Sequence, residues 1–396
     1  MNPSTSKRLQ STQIIIKDCQ ELDNFHKTMH ALYVANKTLP SNDYRVIYPK
    51  WSQFCSVTYA LPSIPEGVDA HNFTLVGFDE GLPTSAVLHY FKFLAYLYRN
   101  RKTFDFIHYF STGLILFGPL ISRLVGVPCL ITVTGFGRTF TNPEPKYRLL
   151  RPVYWLLMRL AVHLSKGIFF QNHTDHTTVA EWFPEAKDKY YYIGSAIEAP
   201  IIKAKSFAAP RLRVLLVARL LPDKGIDDFL AVAEHLHRGP FEFTLVGPGS
   251  PGFEDFQIRV RNFAERNILT YTGKLDTAVT QEHFVNAHIL FFPSYGEGMS
   301  RVMLEAGFAQ VCPVAYDIPA NRDLVGDGRG FLVPIRDTQQ VIQILKRLSQ
   351  DRIALKQNAR AYQAYIIDNY NMATFARRMD DILIKTFQHK RGLKQE

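Results

Sequence analysis

Short apolar runs, each closed by glycine, proline or polar residues, recur along the chain with longer segments of helical period between them. In the first half YRVIYP (44–49), FDFIHYF (104–110), CLITVTG (129–135) and GIFFQNHTD (167–175) read as strands, and AVLHYFKFLAYLYRNR (86–101) as a helix. The alternation predicts a parallel, doubly wound sheet, with the polar end of 167–175 at the carboxyl edge, where ligands bind in open α/β sheets. Between Tyr192 and Arg213 the period is lost and two prolines appear, which predicts a domain joint. A second series follows: RVLLVARL (213–220), EFTLVGPG (242–249), ILTYTG (268–273), HILFFPS (288–294) and QVCPVAY (310–316). YNMATFARRMDDILIKTF (370–387) then reads as an amphipathic helix. The expected fold class is α/β, with two Rossmann-like, doubly wound domains over residues 12–202 and 203–369 facing each other across a cleft.

Length agrees, since 396 residues exceed what one ordinary core holds. A hydrophobic share of 46% against 21% charged residues is that of a globular protein. The net charge of +10 favours an anionic partner without choosing among nucleotide, phosphorylated lipid, acidic membrane and nucleic acid. Nucleic acid is the weakest of these, because the cations follow no RNA-binding or helix-turn-helix pattern, and none is expected as a partner. Four scattered cysteines with no CxxC pair predict a reducing compartment, no disulfide and no structural metal. The first 18 residues carry a three-residue apolar core, too short for a secretion signal, so a cytoplasmic location is expected. The most apolar tract, 110–140, is broken by Pro119, Arg123, Pro128 and Arg138, and predicts no membrane-spanning helix. KYRLLRPVYWLLMRLAVHLSKG (146–167) and YFKFLAYLYRNRK (90–102) mix cations with Tyr, Trp and Leu, as a surface lying on an anionic membrane does. Two ordinary helices with solvated cations would give the same pattern.

The chemistry concentrates in FFPSYGEGMSRVMLEA (291–306), which sets Glu297 and Glu305 eight positions apart across a strand end, a glycine turn and a helix start. Competing motifs fail: no Walker A loop is present, GDGRG (326–330) precedes a strand, and GPGSPG (247–252) is not read as a dinucleotide fingerprint, on its spacing. VARLLPDKG (217–225), VGPG (246–249), TGKL (272–275) and PSYGEGMSRVMLEA (293–306), in this order, resemble the nucleotide-binding half of the retaining family-4 glycosyltransferases of the GT-B fold. A weaker resemblance, through FHKTMHAL (25–32), FIHYFSTG (106–113), TVTGFGRTFT (132–141) and FFQNHTD (169–175), reaches the branch acting on lipid-linked saccharides, including the bacillosaminyl-type transferases. The resemblance implies transfer of a hexose or N-acetylhexosamine from a nucleoside diphosphate sugar, uridine preferred, to a lipid-linked saccharide in surface polysaccharide synthesis. It implies no cofactor and no metal, consistent with the lack of any D-x-D pair. It also implies a last helix, within 370–390, that returns to the first domain.

Residue by residue, Arg219 and Lys224 stand at the family's diphosphate-binding Arg and Lys, where a guanidinium fork and a compact ammonium neutralise a departing phosphate. Glu297 stands where contact with the donor hexose is implied, and Gly247, Gly273 and Lys274 lie in the other donor-side motifs. Glu305, about two turns into the helix, can accept hydrogen bonds from vicinal ribose hydroxyls. Gly298 leaves room for sugar and phosphate, and the amides of Gly298, Met299 and Ser300 are expected to face the diphosphate at a helix N-terminus. Arg301 contacts substrate or faces solvent. Thr134 replaces the histidine common in this turn, so no general base is expected there; Thr134 and Gly135 line the sugar pocket. His26 and Lys27, resembling a His-Arg pair that opens the first helix, are expected on the acceptor side with His108 and His173. A non-catalytic nucleotide-sugar-binding relative and a sugar-nucleotide epimerase remain as alternatives.

Overall fold

In a computed structural model of the chain, the structure describes residues 29–34, 44–61, 74–77, 86–110, 112–134, 145–198, 205–326 and 328–387. Among these the first domain holds a seven-stranded parallel sheet in the order β3-β2-β1-β4-β5-β6-β7. Its strands are β1 (Met29–Val34), β2 (Cys55–Leu61), β3 (Thr74–Gly77), β4 (Phe106–Tyr109), β5 (Cys129–Val133), β6 (Gly167–Phe170) and β7 (Tyr190–Tyr192). Helices α1 (Tyr44–Trp51), α2 (Ala86–Asn100), α3 (Thr112–Val125), α4 (Pro145–Leu164) and α5 (His173–Trp182) connect them. Alternate side chains serve opposite faces, as the pleat requires: Leu32, Val34 and Ile107 join one core cluster, Ala31, Tyr33 and Phe106 the other.

One expectation is corrected. YRVIYP is helix α1, not a strand, because a short apolar run satisfies either period and Tyr48 turns inward against Tyr33 and Phe375. The second half of FHKTMHAL lies in strand β1, with Ala31 and Leu32 buried on opposite faces of the sheet, while His26 and Lys27 lie outside the described residues.

The second domain carries a six-stranded parallel sheet among the described residues, ordered β10-β9-β8-β11-β12-β13. The strands are β8 (Leu212–Val217), β9 (Phe241–Val246), β10 (Thr270–Tyr271), β11 (Ile289–Phe292), β12 (Cys312–Tyr316) and β13 (Phe331–Val333). Around them lie α6 (Ile226–Leu236), α7 (Glu254–Glu265), α8 (Thr277–Asn286), α9 (Arg301–Phe308), α10 (Pro319–Arg322), α11 (Thr338–Gln350) and α12 (Arg352–Asn369). The chain runs β8, β9, β10 outward, then returns to place β11 on the other side of β8. The order reverses there, which opens a crevice at the carboxyl ends of β8 and β11.

The last helix, α13 (Met372–Phe387), leaves the second domain and packs on the first sheet, burying Met372, Phe375, Met379, Leu383 and Phe387 among residues of β1, β2 and β4. Each such side chain contributes on the order of 1.5–3 kcal/mol. The turn before α13 is fixed by Asn371, whose Oδ1 accepts the Thr374 N–H at 2.8 Å, and which bridges to Ile197 in the other interdomain passage. The two chain crossings therefore lie side by side. Asp380 anchors the helix, accepting hydrogen bonds from Tyr48 Oη, Ser52 Oγ (2.6 Å) and the Gln53 N–H (3.0 Å). Asp380→Ala leaves buried donors unpaired and is expected to cost about 2–4 kcal/mol, read as a lower urea midpoint.

Candidate active site

The crevice between β8 and β11 collects the loops that follow β8, β9, β10 and β11, because all four strands run parallel and end at the same edge. Backbone bonds stitch these loops together: Ala218 N–H to Val246 O (2.9 Å), Gly247 N–H to Gly273 O (2.8 Å) and Tyr295 N–H to Asp223 O (2.9 Å). Two glycines are required for this closeness. Gly247 has φ +147° and Gly225 φ +64°, and a Cβ at either would run into backbone, the Ala218 carbonyl oxygen for one and the Pro293 carbonyl oxygen for the other.

On this frame the two acids each meet a cation. Glu297 Oε1 lies 2.7 Å from Lys224 Nζ and accepts the Ser294 hydroxyl at 2.9 Å, while Asp223 stands 3.5 Å from the same ammonium. Glu305 Oε1 accepts from Arg301 Nη2 at 3.1 Å, one turn away on α9. Arg301 is thus engaged along α9, with its side chain a quarter exposed. Burial pushes the Glu305 carboxyl up and the Arg301 charge pulls it part of the way back. Ser300 caps α9, its Oγ accepting the Met303 N–H, so that Gly298, Met299 and Ser300 form the approach to a helix N-terminus. Arg219 and Lys274 are exposed and make no ion pair among the described residues.

The second-domain residues singled out in the sequence thus come together at one crevice. Those of the first domain divide. Thr134 follows the carboxyl end of β5 and is half-buried; Gly135, His26 and Lys27 lie outside the described residues. His108 is fully buried in the middle of the sheet, its Nε2 2.7 Å from Thr132 Oγ1 and its ring against Phe110 and Phe169. That burial removes it from the acceptor side, because no substrate reaches a side chain with no exposed surface. His173 is exposed at the start of α5, stacked at 3.9 Å on Tyr192, and its N–H donates to Asp323 Oδ2 at 2.8 Å across the two domains. One interdomain contact has no counterpart in the sequence motifs: Asn172 Nδ2 donates to the Gly298 carbonyl at 3.0 Å.

GPGSPG is unsuited to a pyrophosphate because of its charges, not its spacing. Gly247, Gly249 and Gly252 do keep G-x-G-x-x-G intervals between a strand and a helix. The first turn of α7, however, carries Glu254 and Asp255, and the Glu254 carboxylate already accepts the Gly252 N–H at 3.0 Å.

Residues 211–351 match the family described as glycosyl transferases, group 1. Over this span the second domain is similar to the group 1 glycosyltransferases. Over 320 residues, 76% of the chain and 80% of the relative, it is 24% identical to the UDP-Gal:alpha-D-GlcNAc-diphosphoundecaprenol alpha-1,3-galactosyltransferase of Escherichia coli. A 2-deoxystreptamine glucosyltransferase of Streptomyces kanamyceticus is 23% identical over 274 residues, 65% of this chain and 70% of that one. Among solved structures, Anabaena HepE in complex with UDP-glucose superposes with a TM-score of 0.71 at 16% identity, over 90% of this chain and all of that one. The two-domain architecture is the GT-B fold.

Proposed function

We propose that this protein is a retaining, metal-independent family-4 transferase that moves a hexose or N-acetylhexosamine from a UDP-sugar to a lipid-linked saccharide in surface polysaccharide synthesis. The observation that carries the reading is the pairing of Lys224 with Glu297 at the switch-point crevice, with Arg219 exposed in the loop after the same strand. A diphosphate entering this crevice finds the Arg219 fork, the Lys224 ammonium and the amides before α9. It draws Lys224 from Glu297 and leaves that carboxylate for the donor hexose hydroxyls. Glu305 takes the ribose diol, and Arg301 holds its carboxylate in place. Gly247 and Gly273 keep the loops close and Lys274 adds positive charge at the rim. Transfer forms the bond from the acceptor oxygen to the anomeric carbon on the face where the phosphate bond breaks. The acceptor proton passes to the leaving phosphate oxygen, so Thr134 need supply no base. Thr134 and Gly135 line the sugar pocket, while His173, His26 and Lys27 serve the acceptor side.

The lipid-linked acceptor is supported by the name of the Escherichia coli relative and by the first-domain surface. Helices α3 and α4 expose Leu124 (69%), Leu149 (81%), Val153 (54%) and Leu156 (62%) beside the exposed cations Arg123, Arg148 and Arg159. Neither helix contains an acid. Apolar side chains framed by cations suit the inner face of an anionic membrane, each cation near the surface worth about 1 kcal/mol. Among the described residues no helix is long and apolar enough to cross the bilayer.

The test is incubation with UDP-glucose, UDP-galactose or UDP-N-acetylglucosamine and either diphosphoundecaprenol-linked N-acetylglucosamine or 2-deoxystreptamine, with chelator present. The expected product is an α-glycoside on the lipid-linked sugar. Transfer to the aminocyclitol alone, an inverted anomer, or UDP-sugar interconversion without an acceptor contradicts the proposal in its acceptor, its stereochemistry and its reaction class respectively. A non-catalytic relative would bind UDP and give no product with any pair.

A further inference from the structure

Asn172 ends the first sheet's β6 loop, is 1% exposed, and makes more bonds than a helix cap needs. Its Oδ1 accepts the Asp175 N–H at 2.7 Å, which caps α5. Because that donor is a backbone amide, the side-chain orientation is fixed, and Nδ2 must face the other way. Both Nδ2 protons are then spent, one on Asp175 Oδ2 at 2.8 Å and one on the Gly298 carbonyl at 3.0 Å in the other domain. A serine or aspartate caps a helix about as well as asparagine. Only the amide adds donors, and here one reaches across the cleft.

We propose that Asn172 is a positioning residue that sets the orientation of the phosphate-facing loop of the second domain from the first. This rests on the reading of that loop given under Proposed function. The physical link is the peptide plane. The Gly298 carbonyl and the Met299 N–H belong to one rigid unit and point in opposite directions, so holding the oxygen aims the hydrogen. The neighbouring points of the loop are held by its own domain: Glu297 by Lys224 and Ser294, and Ser300 by its cap on α9. Gly298 between them has no side chain with which to fix itself, and Asn172 supplies the missing restraint. The grip does not stand alone. The next residue, His173, donates its N–H to Asp323 Oδ2, so the start of α5 holds two separate segments of the second domain. The first domain thereby takes part in shaping the donor site through these two contacts.

The test uses the full chain and Asn172→Ser, which keeps a capping oxygen and is too short to reach Gly298. Hydrogen exchange of the free protein is followed in peptides covering 294–308 and 173–182, and UDP affinity is measured for the same samples, with Arg219→Ala as the donor-site control. Expected are roughly fivefold faster exchange in 294–308, protection of 173–182 retained within about twofold, and UDP binding weaker by about fivefold, the loss of one neutral hydrogen bond. A purely structural cap, which serine replaces, would leave exchange in both 173–182 and 294–308 and the UDP affinity unchanged, and that result overturns the proposal. If the serine variant does not fold, Asn172→Thr, which also caps and lacks the amide donors, is held to the same outcomes. A wild-type protein that binds UDP, loses it in Arg219→Ala and keeps it in Asn172→Ser overturns this inference alone. A wild-type protein that binds no UDP overturns both this inference and the donor reading.

Discussion

Lys224→Ala is expected to lower sugar transfer by roughly 10²- to 10³-fold, the scale on which removing one preorganised charge from a transition state is felt. Two effects add. The variant loses the ammonium that meets the departing diphosphate, and it leaves Glu297, whose side chain is 21% exposed, without its 2.7 Å counter-ion beside an incoming anion. Removing both groups in Lys224→Ala, Glu297→Gln relieves the second effect only, so the double variant should bind UDP better than the single one while still transferring poorly. Lys224→Arg keeps the charge on a longer, planar head and should recover part of the rate. The measurement is kcat and KM with a UDP-sugar and the acceptor that turns over. A loss of only twofold in Lys224→Ala would mean that the pair with Glu297 is a surface ion pair, worth less than about 1 kcal/mol, and no part of the leaving-group site.

Glu305→Gln is expected to weaken UDP binding by about 10- to 100-fold, because bonds from the ribose hydroxyls to a carboxylate are worth roughly 1.5–3 kcal/mol in total beyond those to an amide. Stability should move the other way. Burial already pushes the Glu305 carboxyl up, so an uncharged residue of the same shape relieves a desolvation cost and the thermal midpoint should hold or rise. Weaker binding in a protein no less stable is the signature of a ligand contact, and a purely structural glutamate does not give it. The variant also releases the Arg301 guanidinium from its carboxylate, and that charge can partly compensate by meeting phosphate, which is why the lower end of the range is the more sensitive test. Unchanged affinity would remove the ribose role.

What could be read from the sequence depended on whether a residue's partner lay close by in the pattern. The second domain was legible because its central strands are apolar on both faces and β9, β11 and β13 run directly into glycine or proline, and the crevice follows from their order. In the first domain β1 and β2 were missed because each carries a polar residue inside the sheet. His30 and Thr58 sit on neighbouring strands with their side chains 2.8 Å apart, so each satisfies the other and neither signals a strand. The same device misled the reading of His108. It looked like a functional group at a strand end, and it is the partner of Thr132 across β4 and β5. The Lys224–Glu297 contact spans 73 positions, and motif order anticipated the residues without their contact. Asn172 gave no signal beyond that of a helix cap, since Gly298 lies 126 positions away.

The proposed function stands or falls on whether the crevice between β8 and β11 is a nucleoside diphosphate site built on Arg219 and its neighbours. Calorimetric titration of the protein with UDP, GDP, ADP and NAD, in chelator and against Arg219→Ala, decides it. The expected result is preferential UDP binding that weakens by about 10- to 100-fold in the variant, the worth of the charge-assisted hydrogen bonds that one guanidinium makes to phosphate. Binding of NAD alone, of no nucleotide, or of UDP with equal affinity in Arg219→Ala would contradict it.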